Sequence, residues 1–94
     1  MKNLQLILDL SNSTCNYVTN RIENQRNSDR YVSVHSKCLE IIRKSTNPNQ
    51  CVADLIRFEY EFLLKLSVWN SRKYELLAIE HALDVVRSIS LRFK

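Results

Sequence analysis

Apolar residues recur every three or four positions along most of this chain, the spacing of a helix that buries one face. In the first segment, residues 3–24, they fall on one stripe. Its members are Leu4, Leu8, Ser11, Cys15, Val18 and Ile22. Asn12, Asn16, Asn20 and Asn24 recur on the opposite face, which predicts a solvated back. Because Asn, Ser and Thr compete for the backbone, this helix is expected to be locally weak.

Three further segments have the same periodicity, over residues 29–45, 48–69 and 71–92. The inward positions of the second are Tyr31, Val34, His35, Cys38, Ile41 and Ile42. Those of the third are Cys51, Val52, Leu55, Phe58, Phe62, Leu63, Leu66 and Trp69. Those of the fourth are Leu76, Ile79, Ala82, Leu83, Val86, Ile89 and Phe93. The chain is therefore predicted to form four amphipathic helices.

The boundaries follow from polar runs between these segments. The run at 24–30 is taken as the first connection. At the second, Asn47 is in N-cap position, Pro48 is at the first helical position and Gln50 completes a capping-box pattern. The fourth helix is expected to start near Ser71. A single continuous helix through the third and fourth segments is the alternative.

Composition supports an all-α fold. The chain has 94 residues, with no glycine and one proline, and tight hairpin turns usually need glycine. A chain of this length forms one domain, residues 1–94. Short connections favour antiparallel neighbours. We therefore predict a compact antiparallel four-helix bundle.

The net charge and the apolar run at the start of the sequence indicate the class of partner and the localisation to expect. The net charge of +4 is spread along the chain, whereas nucleic-acid binders concentrate it on one face. Gln5 and Asp9 interrupt the apolar opening, which is too short to span a membrane. We expect a cytoplasmic protein with no leader and no membrane association.

The three cysteines have no CxxC spacing, and an odd number does not make a disulfide framework. All three lie on apolar stripes, where a thiol behaves as a small hydrophobe. His35 and Cys38 are three apart on one helical face, but structural zinc sites have paired ligands in each half. We expect core packing, with no metal and no cofactor.

The stretch Arg30-Tyr-Val-Ser-Val-His35 resembles the R-x4-H core of HEPN ribonucleases, which are all-α. The resemblance covers six residues and implies that Arg30 and His35 would act on RNA. Tyr31 departs from the family, which usually has a polar residue there, and the motif lies early on the second helix. Since His35 is on the inward stripe, we expect a core histidine and no enzymatic activity.

Apolar residues in excess of one stripe point to a binding surface. Opposite the main face of the third segment lies a strip formed by Arg57, Tyr60, Leu64 and Val68. Leu10 and Tyr17 lie away from the main stripe of the first segment. A surface helix needs one apolar stripe, so a second is expected to be covered by another chain, a second copy included. The alternative is that the bundle wraps the third segment more fully, with the first segment crossing over it.

Glu59 lies within the main apolar arc of the third segment. A buried carboxylate must find a donor, take up a proton or lie at the edge of the core. We interpret it as a structural residue hydrogen-bonded to a neighbouring helix, the alternative being a proton donor or a partner contact.

These features predict a small non-catalytic protein that binds another protein stoichiometrically. A dedicated inhibitor of the immunity or antitoxin kind fits best, with a secretion-type chaperone as alternative; size and composition would suit a bacterial or phage accessory protein. A nucleic-acid-binding regulatory protein is the second class, since Arg21, Arg26 and Arg30 could gather near the first connection. No helix-turn-helix turn is evident, so nucleic acid is not the expected partner.

Overall fold

Four helices account for the part of the chain that the structure describes, residues 1–65 and 72–92 of a computed structural model. In chain order they are α1 (Leu4–Thr19), α2 (Gln25–Lys44), α3 (Pro48–Leu64) and α4 (Lys73–Arg92). No strand occurs in these residues. The helices pack as a four-helix bundle, which confirms the predicted fold class.

The α2 and α4 helices form the centre of the bundle. They make the most extensive contact of any helix pair, and α1 and α3 each pack against both of them. Within the described residues α1 and α3 do not touch, so they flank the α2–α4 pair. Residues near the start of α2 and the start of α4 line one cavity, so the two helices begin at the same end of the bundle and run in the same direction. The alternative in which the first segment crosses over the third is therefore wrong.

The boundary between α1 and α2 differs from the prediction, since α1 ends earlier, at Thr19, and α2 begins earlier, at Gln25. Asn24 is the N-cap of α2: its Oδ1 accepts from the backbone N–H of Arg26 at 2.9 Å and of Asn27 at 3.4 Å. A short polar side chain that satisfies free N–H groups favours the start of a helix. Most of the polar run assigned to the connection is therefore the beginning of α2.

The start of α3 is as predicted. Asn47 Oδ1 accepts from the backbone N–H of Gln50 at 2.8 Å, and Pro48 is the first helical residue. Gln50 in turn reaches back, its Oε1 accepting from the backbone N–H of Thr46 at 3.1 Å. This reciprocal pairing is a variant of the capping box and satisfies donors that the helix leaves without partners.

The end of α3 differs from the prediction. The helix ends at Leu64 with Lys65 as its C-cap, and residues 66–69 of the expected extension lie outside the described residues. The residues of α3 after Phe62 are exposed, so no tertiary packing favours a longer helix. The expected N-cap Ser71 lies outside the described residues, and α4 begins at Lys73. Because α3 ends before α4 and packs against it, the two are not one continuous helix.

The core lies between α2 and α4 and includes one face of each flanking helix. Its buried hydrophobic residues are Ile7, Cys15, Tyr31, Val34, Cys38, Leu39, Ile42, Cys51, Leu55, Ala78, Ile79, Ala82, Leu83, Val86 and Ile89. The predicted stripe of α2 is confirmed except at Ile41, which is half-buried. Ile7, Leu39 and Ala78 also lie in the core, although no predicted stripe included them. In the described part of the chain, no helix is long and apolar enough to cross a membrane.

We expect Cys38→Ser to lower the free energy of unfolding by about 1–3 kcal/mol, because Cys38 is fully buried and serine adds a polar group there without an evident partner. Urea denaturation measures the change. Cys38→Ala is the control, since it removes the sulfur without adding a hydroxyl, and it should cost less. Zinc content is measured in parallel, and stoichiometric zinc in the wild-type protein would contradict the assignment of Cys38 to the core.

Candidate functional site

The outer face of α3 carries four large hydrophobic side chains in contact with solvent. Ile56 is 43%, Tyr60 62%, Leu63 46% and Leu64 66% exposed. Their spacing of four, three and one puts them on one side of the helix. These four residues are called the α3 strip below. Because α3 contacts only α2 and α4 in the described part of the chain, no other helix of this bundle covers the strip.

The α3 strip overlaps the predicted partner-binding residues without matching them. Tyr60 and Leu64 are exposed as expected, and Val68 lies outside the described residues. Leu63 was assigned to the buried face, which is wrong. The error comes from the width of that face: α3 buries only Cys51 and Leu55 completely.

Ile56 is an exposed member of the α3 strip that was not among the predicted partner-binding residues. It follows Leu55 directly, and neighbouring residues of a helix point about 100° apart, so a helical wheel drawn with a narrow buried face would have placed it outside. The width of that face depends on how closely the neighbouring helices approach. The sequence gives no measure of that distance.

Arg57 lies at the border of the α3 strip and not within it. It is exposed and lines a surface groove of about 300 Å³ between α2 and α3. The groove is also lined by Ile41 and Lys44 of α2 and by Asp54, Phe58 and Glu61 of α3. Arg57 is therefore placed to contact a partner at the polar edge of the strip.

Leu10 and Tyr17 lie on α1, on the other side of the α2–α4 pair. Tyr17 is 59% exposed, and the guanidinium of Arg21 lies 3.6 Å from its ring centroid. Leu10 is 38% exposed and lines a groove of about 370 Å³ between α1 and α4. These residues form a second candidate surface, and the fold separates it from the α3 strip.

The R-x4-H pair is divided between the surface and the core. Arg30 is exposed, whereas His35 is buried and its Nε2 donates to the carbonyl oxygen of Ser11 at 3.0 Å. Since a carbonyl oxygen only accepts, the proton of the neutral ring lies on Nε2. The ring stacks against Tyr31 with 6.3 Å between centroids. His35 therefore joins α2 to α1, and the two residues of the motif do not form one exposed site.

A second histidine, His81 of α4, packs against the same tyrosine. The hydroxyl of the fully buried Tyr31 lies 2.7 Å from Nδ1 of His81. The ring of His81 packs edge-on against Tyr31 with 5.8 Å between centroids. Tyr31 thus gains the hydrogen-bond partner that a buried phenol requires. The cluster of Tyr31, His35 and His81 connects three helices, and its contacts are those of a structural core.

The thiols are also in structural positions. Burial raises the pKa of Cys15, Cys38 and Cys51. For Cys38 it reaches about 12, through burial first and the neighbouring Cys51 second. A thiol in this state is a poor nucleophile near neutral pH. Within residues 1–65 and 72–92, no His, Cys, Asp and Glu side chains group into a metal centre.

Glu59, which a helical wheel places between Leu55 and Leu63, is half-buried on α3. It thus occupies the edge of the core, one of the three arrangements that a carboxylate in such a position can adopt. A half-exposed carboxylate keeps part of its hydration, so the apolar surroundings of this residue in the sequence do not by themselves point to a proton donor.

Comparison with protein-family models, curated proteins and solved structures finds no match to this chain. What the protein binds is therefore inferred from the chemistry and placement of its own residues. Four of the eight exposed large hydrophobic side chains in the described residues lie on the α3 strip.

We expect the double variant Tyr60→Ala with Leu64→Ala to fold as the wild type does, because both side chains are mostly in solvent. Its free energy of unfolding should change by no more than about 0.5 kcal/mol and its helicity should be retained. Leu55→Ala, at a fully buried position of the same helix, should cost about 2–5 kcal/mol. Circular dichroism with urea denaturation compares them, and a large loss in the double variant would assign Tyr60 and Leu64 to the core.

We expect His35 to make the protein less stable in mild acid. Burial lowers the pKa of His35 below 6.5, and its bond to Ser11 opposes this only in part. As pH falls below 6.5, the unfolded chain binds a proton that the folded protein does not, so the free energy of unfolding decreases.

Urea denaturation at several pH values between about 7.5 and 5.5 measures this loss around the ordinary pKa of histidine. His35→Gln does not titrate and should flatten the dependence, while its amide can still donate to Ser11. Parallel curves for the two proteins would show that other groups produce the pH dependence.

Proposed function

We propose that this chain is a non-catalytic protein that binds one other protein stoichiometrically, with the α3 strip as the contact surface. The observation that carries the proposal is the exposure of Ile56, Tyr60, Leu63 and Leu64 on a helix face left uncovered within the described bundle. Exposed apolar patches of this kind mark sites of protein interaction. Tyrosine is among the residue types enriched at binding hot spots.

The polar surroundings of the strip suit a protein partner. Arg57, Glu61 and Lys65 are exposed, follow one another at intervals of four residues and carry both signs of charge. A hydrophobic centre bordered by solvated charges is the common composition of a specific interface. Binding through such a strip is expected to tolerate salt, because apolar contact and not charge supplies most of the affinity.

The buried His35 and the three buried cysteines support a stoichiometric role for the protein. His35 is engaged within the core, and the raised pKa of the thiols disfavours nucleophilic chemistry. A small protein that works by occupying a surface of its partner suits a dedicated inhibitor. In its most specific form, the proposal is an inhibitor of the immunity or antitoxin kind that neutralises a cognate toxin. A secretion-type chaperone would use the same surface for a segment of its client.

Native mass spectrometry of the tagged protein, purified gently from its own host, tests the proposal. We expect a defined complex with one second polypeptide, and we expect Tyr60→Ala with Leu64→Ala to lose it, because the centre of the contact is removed. The identified partner, if a toxin, should be inhibited at an equimolar ratio.

Leu10→Ala with Tyr17→Ala is the matched control, since it removes the same residue types from α1. The control variant should retain the complex, because α1 and α3 are separated by the α2–α4 pair. Equal loss in both variants would contradict the α3 strip as the docking surface. A homodimer without any second polypeptide would assign the strip to self-association and contradict the inhibitor proposal.

A further inference from the structure

Both helices at the centre of the bundle begin at the same end. Residues near their starts line a pair of adjoining open cavities. The larger, of about 460 Å³, is lined mainly by α2, and the smaller, of about 240 Å³, mainly by the start of α4. The two share Arg30 and Glu75. Together they form one open cleft, called the basic cleft below. Its charged members are Arg26, Asp29, Arg30, Arg72, Lys73 and Glu75.

Positive charge in the basic cleft exceeds negative charge. Arg72 Nη1 lies 3.2 Å from Oε2 of Glu75, which makes the one salt bridge in residues 1–65 and 72–92. Arg26, Arg30 and Lys73 are exposed and form no such pair with the described carboxylates. Residues 66–71 contain no acidic side chain. Asp29 also lines the cleft, so its four cations and two carboxylates leave a net charge of +2 there.

Helix stability does not explain these cations. The amino end of a helix carries partial positive charge and favours acidic side chains, whereas basic side chains are favoured at the carboxyl end. The first turn of α2 has no acidic residue and includes Arg26, while Arg43 and Lys44 in its last turn follow the favourable pattern. α4 begins at the same cleft with Lys73 and one acidic residue, Glu75, in its first turn, so the two amino ends together carry more positive than negative charge. An anion between them would offset this repulsion.

Groups beside the cations indicate what kind of anion fits. Tyr74 is half-buried and lines the smaller cavity, with Nζ of Lys73 5.8 Å from its ring centroid. Asn27 and Ser33 add neutral hydrogen-bonding side chains to the lining. Cationic groups next to an aromatic face are the combination that binds a phosphate backbone and stacks a base. Because a base must be unpaired to stack on a side chain, this combination favours a single strand over a duplex.

We propose that the basic cleft binds the phosphate groups of single-stranded nucleic acid, with Arg26, Arg30 and Lys73 as the phosphate ligands and Tyr74 as the stacking surface. This second surface shares no residue with the α3 strip. Its members come from residues 26–33 and 72–75, which lie far apart in the chain and meet only because α2 and α4 are parallel neighbours.

Fluorescence anisotropy with a labelled oligouridine RNA tests the proposal on the full chain. Three phosphate contacts should make binding fall about twentyfold between about 50 and about 200 mM salt. Absence of binding at the lower salt would overturn the proposal. A duplex of mixed sequence that binds as tightly as the single strand would overturn the assignment to single strands.

The decisive comparison is between two double variants that remove the same charge from opposite ends of α2. Arg26→Ala with Arg30→Ala should weaken binding at least about tenfold. The slope of log affinity against log salt concentration should also decrease by the amount that corresponds to about two phosphate contacts. Arg43→Ala with Lys44→Ala is the matched control and should change the affinity less than about threefold, because it leaves the cleft intact. Equal loss in the two would show attraction to net charge alone and overturn the cleft as the site.

A third variant, Tyr74→Leu, keeps apolar packing and removes the aromatic face. It should weaken RNA binding about fivefold or more, with the salt dependence unchanged, because it removes stacking and no charge. An unchanged affinity would overturn the role of Tyr74. All variants are checked for wild-type helicity. Arg26→Ala with Arg30→Ala should also retain any complex formed through the α3 strip, so the two proposals fail separately.

Discussion

The structure depends on the contact between α2 and α4, two helices that are not consecutive in the chain. Their residues supply most of the buried core, and the hydroxyl of Tyr31 meets Nδ1 of His81 across the interface. The flanking helices rely on this pair. α1 is built from many poor helix formers, and it is held by Ile7, Ser11 and Cys15 on its buried face. A chain of this size has little surplus stability, so loosening the central pair would release both flanks.

Parallel packing of α2 and α4 also determines which helix faces and which helix ends are exposed on the surface. With α2 and α4 in direct contact, α1 and α3 are held apart, and the outer face of each meets solvent. The apolar residues of α3 that exceed one stripe therefore have no partner among the described helices. The same geometry gathers the amino ends of α2 and α4 at one end of the bundle. The protein-binding and phosphate-binding surfaces proposed for this chain are both consequences of one helix contact.

Local signals in the sequence are enough to predict part of this arrangement. Asn47 and Pro48 define the start of α3 because capping depends on neighbouring residues alone, and the inward position of His35 follows from periodicity. Asn24 was not predicted as a cap because asparagine recurs every four residues along this stretch and the polar run at 24–30 was taken as a connection. Leu63 was misassigned because the buried width of α3 depends on its neighbours. The basic cleft is not visible in the sequence, since it requires knowledge of which helices are adjacent.

Arg72 connects the two proposed surfaces. Its guanidinium lies 5.5 Å from the ring centroid of Phe62, which directly precedes Leu63 of the α3 strip. The same guanidinium pairs with Glu75 in the basic cleft. A protein that covers Leu63 and Leu64 would therefore lie close to a cation that helps to shape the cleft. If contact with a partner repositions Arg72, the affinity of the cleft for phosphate must change. By thermodynamic linkage, phosphate binding then changes the affinity for the partner by the same factor. The position of this one arginine thus allows the two sites to be coupled through side chains alone, without any rearrangement of the helices.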